Sequence, residues 1–287
     1  MLNHNRADWR VSMDGPCIFF RSSNHNIAKV VLFTFSISVF LFLTIDITEN
    51  AGADLTDPFA LTARSTISIG SYSDFNAANG VSSGSGSSTD PFIIEDWWID
   101  APASGTGTGI YIGDVKVYFT IRNCYITDMD YGILFNTVDY GTIDHCRIKN
   151  TLYIAIYLLY SNHNVISWND CTGNLYGMSA YDCDYNIIKY NNFNENTWCG
   201  LMVERASVYN DILNNICNLN TGGRGIGIWI NGNANNNRIK NNSCIMNAET
   251  GILMSYYCDD NEVFDNLCDR NGYGIYISAW VILCVGS

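Results

Sequence analysis

The chain of 287 residues has 15 lysines and arginines against 28 aspartates and glutamates, which gives a formal net charge of −13. Nucleic acid and anionic lipid are therefore excluded as general partners, because an acidic protein repels both. Only 15% of the residues are charged and 47% are hydrophobic. Most of the polar character is consequently carried by Asn, Ser, Thr and Gly.

The first 53 residues are predicted to be an export segment. Residues 30–45 form an uncharged apolar run, and Ala51-Gly52-Ala53 follows with the small-x-small pattern that suits signal peptidase. A membrane span needs about 20 apolar residues, so a cleaved signal is favoured and a retained anchor is the alternative. Met13 is a second candidate start. Residues 54–287 are expected outside the cytoplasm, at the cell surface or extracellular, with residues 30–45 as the only segment expected to contact a membrane.

Residues 54–89 are predicted to form an N-terminal cap, because solenoids need protected ends. Ile67-Ser68-Ile69 alternates like a short strand, Phe75 is an aromatic that can dock on the coil, and residues 80–89 are a Gly/Ser-rich loop. The other end differs, since the chain after Ile277 stops within a repeat and has no polar cap. We expect a truncated or frameshifted end there, or one that packs on another chain.

Residues 90–287 are dominated by an internal repeat, and a repeat of this length decides the architecture. Two weak copies, residues 119–126 and 141–148, keep only the aliphatic positions of the pattern N-x-[IV]-x-x-N-x-[CF]. The full copies begin at Asn164, Asn186, Asn210, Asn237 and Asn261. The aliphatic position recurs every 22 to 27 residues, at Ile121, Ile143, Ile166, Ile188, Ile212, Ile239 and Val263.

A second repeat interleaves with the first and consists of a small residue followed by alternating apolar residues. Its copies begin at Gly109, Gly132, Ala155, Gly177, Gly200, Gly227, Gly251 and Gly274. Strands this short cannot bury a face in isolated hairpins, and no helical periodicity separates them. The sequence therefore predicts an all-β fold, a right-handed parallel β-helix of about seven to eight rungs. Each strand pairs with its copy one turn away, at a distance of about 4.8 Å.

A second inward column of side chains is expected beside the aliphatic one. Its members are Ile126, Ile148, Cys171, Phe193, Cys217, Cys244 and Cys268. A buried Cys behaves as a small hydrophobe, so these four cysteines are predicted to be reduced and buried. Disulfides between adjacent rungs are the alternative, and metal ligation is disfavoured because neither Cys-x-x-Cys nor a His partner accompanies them.

Two columns of asparagines are expected at the bends. The first consists of the asparagines that begin the five full repeats. The second contains Asn169, Asn191, Asn215, Asn242 and Asn266. Asn tolerates the left-handed backbone of a sharp bend, and its amide can bond from rung to rung. We interpret both columns as architecture and not as a catalytic site.

These repeats resemble the parallel β-helix repeats of the pectin-lyase-like superfamily, and most closely those of NosD-like proteins. Thr89-Asp90-Pro91-Phe92-Ile93-Ile94-Glu95 is similar to the opening segment of archaeal exported members, and residues 119–126 continue the likeness. The resemblance covers residues 89–278. It implies the fold much more specifically than the function, because the repeated letters are those that build the coil.

The residues used by catalytic members of the superfamily are mostly missing. Arg147-Ile148-Lys149 and Arg238-Ile239-Lys240 match one polygalacturonase element, but they fall on the aliphatic register and are interpreted as coincidence. Gly-His-Gly, the Asp-Pro-His-Asp of mannuronan epimerases and the calcium nonapeptide are absent. No catalytic residue, metal or cofactor is therefore predicted. Calcium at turn aspartates is the alternative, with candidate ligands Asp128, Asp130, Asp182, Asp184, Asp259 and Asp260.

Aromatic residues recur one or two positions before the small residue of the second repeat, at Tyr131, Tyr153, Tyr176, Trp198 and Tyr273. In a coil they would line one edge, where flat rings suit the apolar faces of sugars. Packing between turns is the alternative interpretation. The sequence thus predicts an exported, non-catalytic β-helix that binds a polysaccharide or another cell-envelope polymer. A polysaccharide lyase or hydrolase, and a NosD-like accessory protein for copper-enzyme maturation, are the alternatives.

Overall fold

The computed structural model describes residues 61–100, residues 107–278 and the strand Leu283–Cys284. They form a parallel β-helix of about eight turns, so the fold predicted from the repeats is confirmed. The predicted export segment at residues 30–45 lies outside the described residues. Within the part of the chain that the structure describes, no helix is long and apolar enough to cross a membrane.

The strands are short, apart from two that continue around a corner of the coil. In chain order they are β1 (Thr62–Arg64), β2 (Ile67–Ile69), β3 (Val81–Ser83), β4 (Phe92–Glu95), β5 (Trp97–Asp100), β6 (Thr108–Arg122), β7 (Tyr125–Thr127), β8 (Tyr131–Asp144), β9 (Arg147–Lys149), β10 (Ile154–Leu159), β11 (Val165–Ser167), β12 (Tyr176–Tyr181), β13 (Ile187–Lys189), β14 (Cys199–Glu204), β15 (Asp211–Leu213), β16 (Ile226–Asn231), β17 (Arg238–Lys240), β18 (Thr250–Ser255), β19 (Asn261–Phe264), β20 (Tyr273–Ile277) and β21 (Leu283–Cys284). Two single 3-10 turns, Tyr72–Asp74 and Ala77–Asn79, lie between β2 and β3.

The strands pack into three faces. Face A consists of β2, the first parts of β6 and β8, and then β10, β12, β14, β16, β18 and β20. Face B consists of β4, the last parts of β6 and β8, and then β11, β13, β15, β17, β19 and β21. Face C consists of β1, β5, β7 and β9 and continues as single bridges. Neighbouring strands within each face are parallel, and β3 is antiparallel to β4.

The predicted aliphatic column lies on the inner side of face B. Ile121 pairs with Ile143, and the pairing continues turn by turn to Val263. Face A adds two inward columns, which end at Ile275 and Ile277. Since burying one such side chain contributes about 1.5–3 kcal/mol, every turn is held by apolar contact with the turns on either side.

The small residue at the start of each face A strand has a steric cause. A Cβ on Gly177 would lie 2.5 Å from the carbonyl oxygen of Gly200, and one on Gly200 would lie 2.7 Å from that of Gly227. A side chain at these positions would push adjacent turns apart, so the recurring glycine follows from the close approach of successive turns.

Both predicted asparagine ladders are present, and their members are buried apart from the partly exposed Asn266. In the first, the backbone N–H and the Nδ2 of Asn164 donate to Oδ1 of Asn186, at 2.9 and 3.1 Å, and each later turn repeats the arrangement. A third ladder, at the bend between faces C and A, was missed by the sequence analysis. It contains Asn174, Asn196, Asn220, Asn247 and Asn271. Its spacings of 22, 24, 27 and 24 residues are the signal that would have revealed it.

The predicted inward cysteines are free thiols. Cys171, Cys217 and Cys244 are buried, as expected, whereas Cys268 is partly exposed because it lies on the last of the fully described turns. Burial raises the pKa of the Cys171 and Cys244 thiols. A neutral thiol is a weak nucleophile, so the column serves as packing.

The N-terminal part joins the same coil. Ile67 and Ile69 of β2 pair with β6 and are buried, which extends face A to a point before residue 90. Phe75 stacks on Phe92, with ring centroids 4.6 Å apart. The predicted strand is therefore present and Phe75 docks on the coil, while the N-terminal cap and the domain boundaries stay predictions.

Candidate ligand-binding face

Three columns of side chains point outward from face A. The middle column runs Tyr111, Leu134, Tyr157, Ser179, Met202, Trp229, Leu253 and Tyr276. The column at the strand starts contains Tyr131, Ile154, Tyr176, Cys199, Ile226, Thr250 and Tyr273, and the column at the strand ends contains Asn136, Leu159, Tyr181, Glu204, Asn231 and Ser255. Among these residues, Glu204 is the only one that carries a charge.

Face B presents a different outer surface, in which charged side chains pair across adjacent turns in water. Nη2 of Arg238 lies 2.7 Å from Oδ2 of Asp211, and Arg122 pairs with Glu95 on an earlier turn. Exposed pairs of this kind contribute about 0–1 kcal/mol each. The outward columns of face A therefore hold fewer charged groups than the strands of face B, and part of their apolar surface is buried in the cluster of Cys199, Met202, Ile226 and Leu253.

The five aromatics predicted from the sequence lie along the starting edge of face A, but they do not share one register. Tyr131, Tyr176 and Tyr273 occupy the same column, whereas Tyr153 and Trp198 sit one residue earlier in their turns. Their rings contact each other in pairs, with centroids 5.5 Å apart for Tyr131 and Tyr153 and 6.1 Å apart for Tyr176 and Trp198. Their role in binding stays a prediction.

Further rings of face A were not predicted. Tyr157 stacks with Tyr131 at a centroid distance of 5.9 Å, and Trp229 donates its indole N–H to Oγ of Ser255 at 2.9 Å. Their signal in the sequence is the third residue of the second repeat, which alternates outward between inward apolar residues. Because that position also holds Leu, Ser and Met in other turns, it shows no aromatic pattern by itself.

Glu204 lies between Tyr181 and Asn231 of the adjacent turns and is partly withdrawn from water. Oε1 of Glu204 accepts a hydrogen bond from Oγ of Ser179 at 3.4 Å. Burial raises the pKa of the Glu204 carboxyl, and the Ser179 bond and Arg205 oppose this effect. Burial also raises the pKa of Tyr157 to about 12, and the Glu204 charge adds to this.

Two arginines lie against rings of this face. The guanidinium carbon of Arg205 is 5.4 Å from the ring centroid of Tyr181, and that of Arg224 is 5.0 Å from the ring centroid of Trp229. Both arginines are exposed. Neither is within ion-pair distance of a carboxylate in the part of the chain that the structure describes; both lie in cation–π contact with a ring, and the charge of Arg205 also acts on Glu204.

The loop of residues 221–225 accounts for the longest turn, and it folds over Trp198. A Cβ on Gly223 would approach Cε3 of Trp198 at 3.0 Å, and one on Gly222 would clash with Thr197. Beneath this cover lies a small outer cluster of buried side chains, which consists of Cys199, Met202, Ile226 and Leu253. The loop therefore covers a buried apolar cluster in the middle of face A.

The acidic turn residues suggested for calcium are dispersed. Asp128 lines a shallow concavity of about 450 Å³, together with Leu152 and Thr197 among others. Oδ1 of Asp184 accepts the backbone N–H of Val208 at 2.9 Å, which is a turn-stabilising role. Across residues 61–100 and 107–278, no three His, Cys, Asp or Glu side chains are grouped closely enough to hold a metal ion.

A second set of aromatics, missed by the sequence analysis, stacks along the bends that flank face B. One stack contains Tyr118, Tyr140, His163, Tyr185 and Tyr209, with successive centroids 5.0 to 5.6 Å apart. At the opposite bend, Trp168 lies 4.5 Å from Tyr190. Most of these residues have left-handed backbone, as sharp bends require. Trp168 follows His163 by five residues, and Tyr190 follows Tyr185 by five. Both sets of aromatics therefore recur once per turn of the coil.

Comparison with known proteins agrees with this architecture. Residues 102–226 match a family model described as a right handed beta helix region. No curated protein is detectably similar in sequence. This match supports the resemblance to pectin-lyase-like repeats at the level of the fold, while the NosD-like likeness and the exported location stay predictions.

Solved structures show a distant likeness. A double mutant of the periplasmic alginate epimerase AlgG is 17% identical with a TM-score of 0.49, over 74% of this chain and 54% of that one. Tailspike protein 2 of Escherichia coli O157:H7 bacteriophage CAB120 is 12% identical with a TM-score of 0.47, over 72% and 34%. An alginate lyase from Paenibacillus sp. str. FPU-7 is 12% identical with a TM-score of 0.45, over 76% and 99%. The chain thus spans about half the length of the first of these proteins.

Proposed function

We propose that this protein binds an extended glycan along the outer surface of face A and does not cleave it. The observation that carries the proposal is the contrast between the two outer surfaces. The outward columns of face A contain aromatic and aliphatic side chains, some of them buried, and a single acid, Glu204, whereas several side chains of face B form ion pairs across adjacent turns. Sugar rings have apolar faces edged by hydroxyls, so they match aromatic rings set among a few polar groups.

An extended ligand fits this surface better than a compact one. The outward columns repeat at every turn, about 4.8 Å apart, which matches a ligand built from repeating units better than a single small molecule. Many weak contacts in a row add affinity through multivalency, because each contact after the first is intramolecular. A polymer that runs over several turns benefits from this arrangement.

Cleavage is disfavoured by the arrangement of ionisable groups. Glycoside hydrolysis generally uses two carboxylates on either side of the scissile bond, and the outward columns of face A hold only Glu204. The alternative activity, a lyase or hydrolase, is supported by the superfamily resemblance alone. The NosD-like alternative is supported by the likeness of the repeats.

The test is a glycan array together with a depolymerisation screen, both performed on the full chain. We expect binding to polymeric glycans and no release of reducing ends or unsaturated sugars. Release of either product would show that the protein is an enzyme. Absence of binding to every glycan would contradict the proposal as a whole.

The predicted aromatics provide a sharper test with a matched control. Tyr176→Ala is expected to weaken glycan binding at least about fivefold, because aromatics that matter in an interface cost more than about 1 kcal/mol on truncation. Trp198→Ala is expected to weaken binding as well, with some loss of stability since the loop packs on it. Tyr190→Ala removes a more exposed ring beside face B and should leave binding unchanged. A lower melting temperature for Tyr176→Ala with intact binding would show that the ring only braces the turns.

A further inference from the structure

We propose that the protein pairs with a second copy of itself through an apolar patch on the outer side of face C, with the two coils antiparallel. The patch consists of Ile216, Leu219, Met246 and Leu267, whose exposed fractions lie between 36% and 56%. Leu152 is the only other exposed large non-aromatic hydrophobic side chain among the described residues. The patch is separate from face A, so the proposal does not depend on what face A binds.

The first part of the patch lies in an outward column of face C. Single bridges join one residue of each turn, and the column runs Arg147, Asp170, Asn192, Ile216, Ser243 and Leu267. Its earlier turns carry charged or amide side chains, whereas Ile216 and Leu267 are apolar and exposed. Since the polar turns make the same bridges, the coil itself does not require an apolar residue at this position.

The second part of the patch lies at the bend between faces C and A. The residues that directly precede the third asparagine ladder all have left-handed backbone, and in chain order they are Gly173, Glu195, Leu219, Met246 and Arg270. Adjacent turns are joined here, because the backbone N–H of Leu219 donates to the carbonyl of Ile245 at 2.9 Å and that of Met246 to the carbonyl of Asp269 at 3.0 Å. Left-handed backbone favours Gly, Asn and Asp, so the bend does not require Leu219 or Met246 either.

The order of charges in this second column makes a second copy the matching partner. The column has an acid, Glu195, at one end of the apolar pair and a base, Arg270, at the other. A two-fold axis between the copies and across the coil turns the column end for end, so that Glu195 faces the partner's Arg270. Leu219 then faces the partner's Met246. Both copies have the same step of about 4.8 Å per turn, so these contacts stay in register.

The existing ion pair of Arg270 is compatible with this arrangement. Nε of Arg270 lies 3.0 Å from Oδ2 of Asp269, its neighbour in sequence, and both side chains are more than half exposed to solvent. Such an exposed pair contributes about 0–1 kcal/mol, and its Nε contact leaves the terminal Nη groups for a second carboxylate. Asp269 itself would face the partner's Asn194, because these two residues directly precede Arg270 and Glu195. No two acids of these columns are therefore brought together.

The association is measured by sedimentation equilibrium of the full chain across about two decades of protein concentration. A standard interface covers about 800 Å² per partner, and the patch forms only its apolar centre, so we expect a dimer that dissociates on dilution. Leu219→Asn and Met246→Asn suit left-handed backbone, and each change occurs twice in a two-fold interface. Each should raise the dissociation constant at least about tenfold. Tyr256→Asn is the matched control and should leave the dimer unchanged, since Tyr256 is an exposed residue with left-handed backbone at the bend between faces A and B.

Reversal of the two charges tests the antiparallel register. Glu195→Arg alone and Arg270→Glu alone each place like charges opposite one another and should weaken the dimer, whereas the double variant exchanges the charges and should restore it. A chain that stays monomeric at every concentration would overturn the second copy as the occupant and leave the patch to a different partner. A dimer that persists in both asparagine variants would overturn the patch as its interface. Loss of the dimer in those variants without recovery in the double variant would overturn the antiparallel pairing.

Discussion

Replacing Asn215 with leucine tests the physical basis of the coil most directly. Oδ1 of Asn215 accepts two hydrogen bonds from Asn191, each of 3.0 Å, and its Nδ2 donates to the carbonyl of Ile188 at 2.9 Å and to Asn242 at 3.1 Å. Leucine has a similar size and can make none of these bonds. The backbone N–H of Asn191 and the carbonyl of Ile188 then lose these partners in a site that water does not reach.

Each such loss costs about 1–3 kcal/mol, so Asn215→Leu is expected to lower the free energy of unfolding by about 2–6 kcal/mol. For a domain of this size the melting temperature should fall by roughly 5–20 °C. Urea unfolding followed by circular dichroism measures the first quantity, and a thermal scan measures the second. Asn136→Leu, at an outward position of β8 outside the ladders, serves as the control and should change stability by less than about 0.5 kcal/mol. Equal stability of the two variants would refute the ladder argument.

Two further predictions concern titratable groups. The inward cysteines should resist a thiol reagent at pH 8 in the native protein, with Cys268 the least resistant, and they should react fully after unfolding without reductant. Reaction of all four before unfolding, or of none afterwards, would contradict their burial as free thiols. Burial raises the pKa of Glu204 above its ordinary value of 4.5, so the folded state is penalised above the raised pKa and the penalty disappears as the pH falls below 4.5. Glu204→Gln should therefore have a higher melting temperature than the parent protein at pH 7.5 and the same melting temperature near pH 4. A variant that is less stable at pH 7.5 would show that the charge is needed for folding.

The sequence predicted the coil because each of its rules repeats in every turn. The register of Ile121 with Ile143 and the bonding of Asn164 to Asn186 follow from spacing alone, since a parallel coil places equivalent residues one above the other. The third asparagine ladder was missed for a definite reason. Asn220 lies seven residues before the small residue of its turn, whereas Asn174 lies only three before its own. The loop in the longer turn therefore breaks the constant spacing from the glycine by which the ladder would be recognised.

The candidate site was predicted less completely. The sequence showed where Tyr176 and Trp198 recur, but it did not show that Arg224 would return from an inserted loop to a ring on the next strand. Nor did it show that Arg238, within β17, would pair with Asp211 of the adjacent turn while Arg205, just after β14, would lie against the ring of Tyr181. Both contacts depend on how the turns align and on which residue points outward.

The aromatic residues of the coil belong to two structural kinds, and the difference decides which surface can hold a sugar. Beside face B, His163 is stacked between Tyr140 and Tyr185 at 5.6 and 5.2 Å, within 13° of parallel. Both faces of such a ring lie against its neighbours, while the rings as a whole stay exposed to the solvent, as Tyr185 does at 50%. Within the columns of face A, Tyr157 and Trp229 alternate with residues that are not aromatic. In the middle column no ring of an adjacent turn covers Tyr157 or Trp229, although Tyr157 stacks on Tyr131 of the starting column and Trp229 packs against Met202 and Leu253. The continuous ring stacks beside face B stabilise the bends. A ligand that stacks on aromatic rings instead requires rings that are not stacked on one another, as in the middle column of face A.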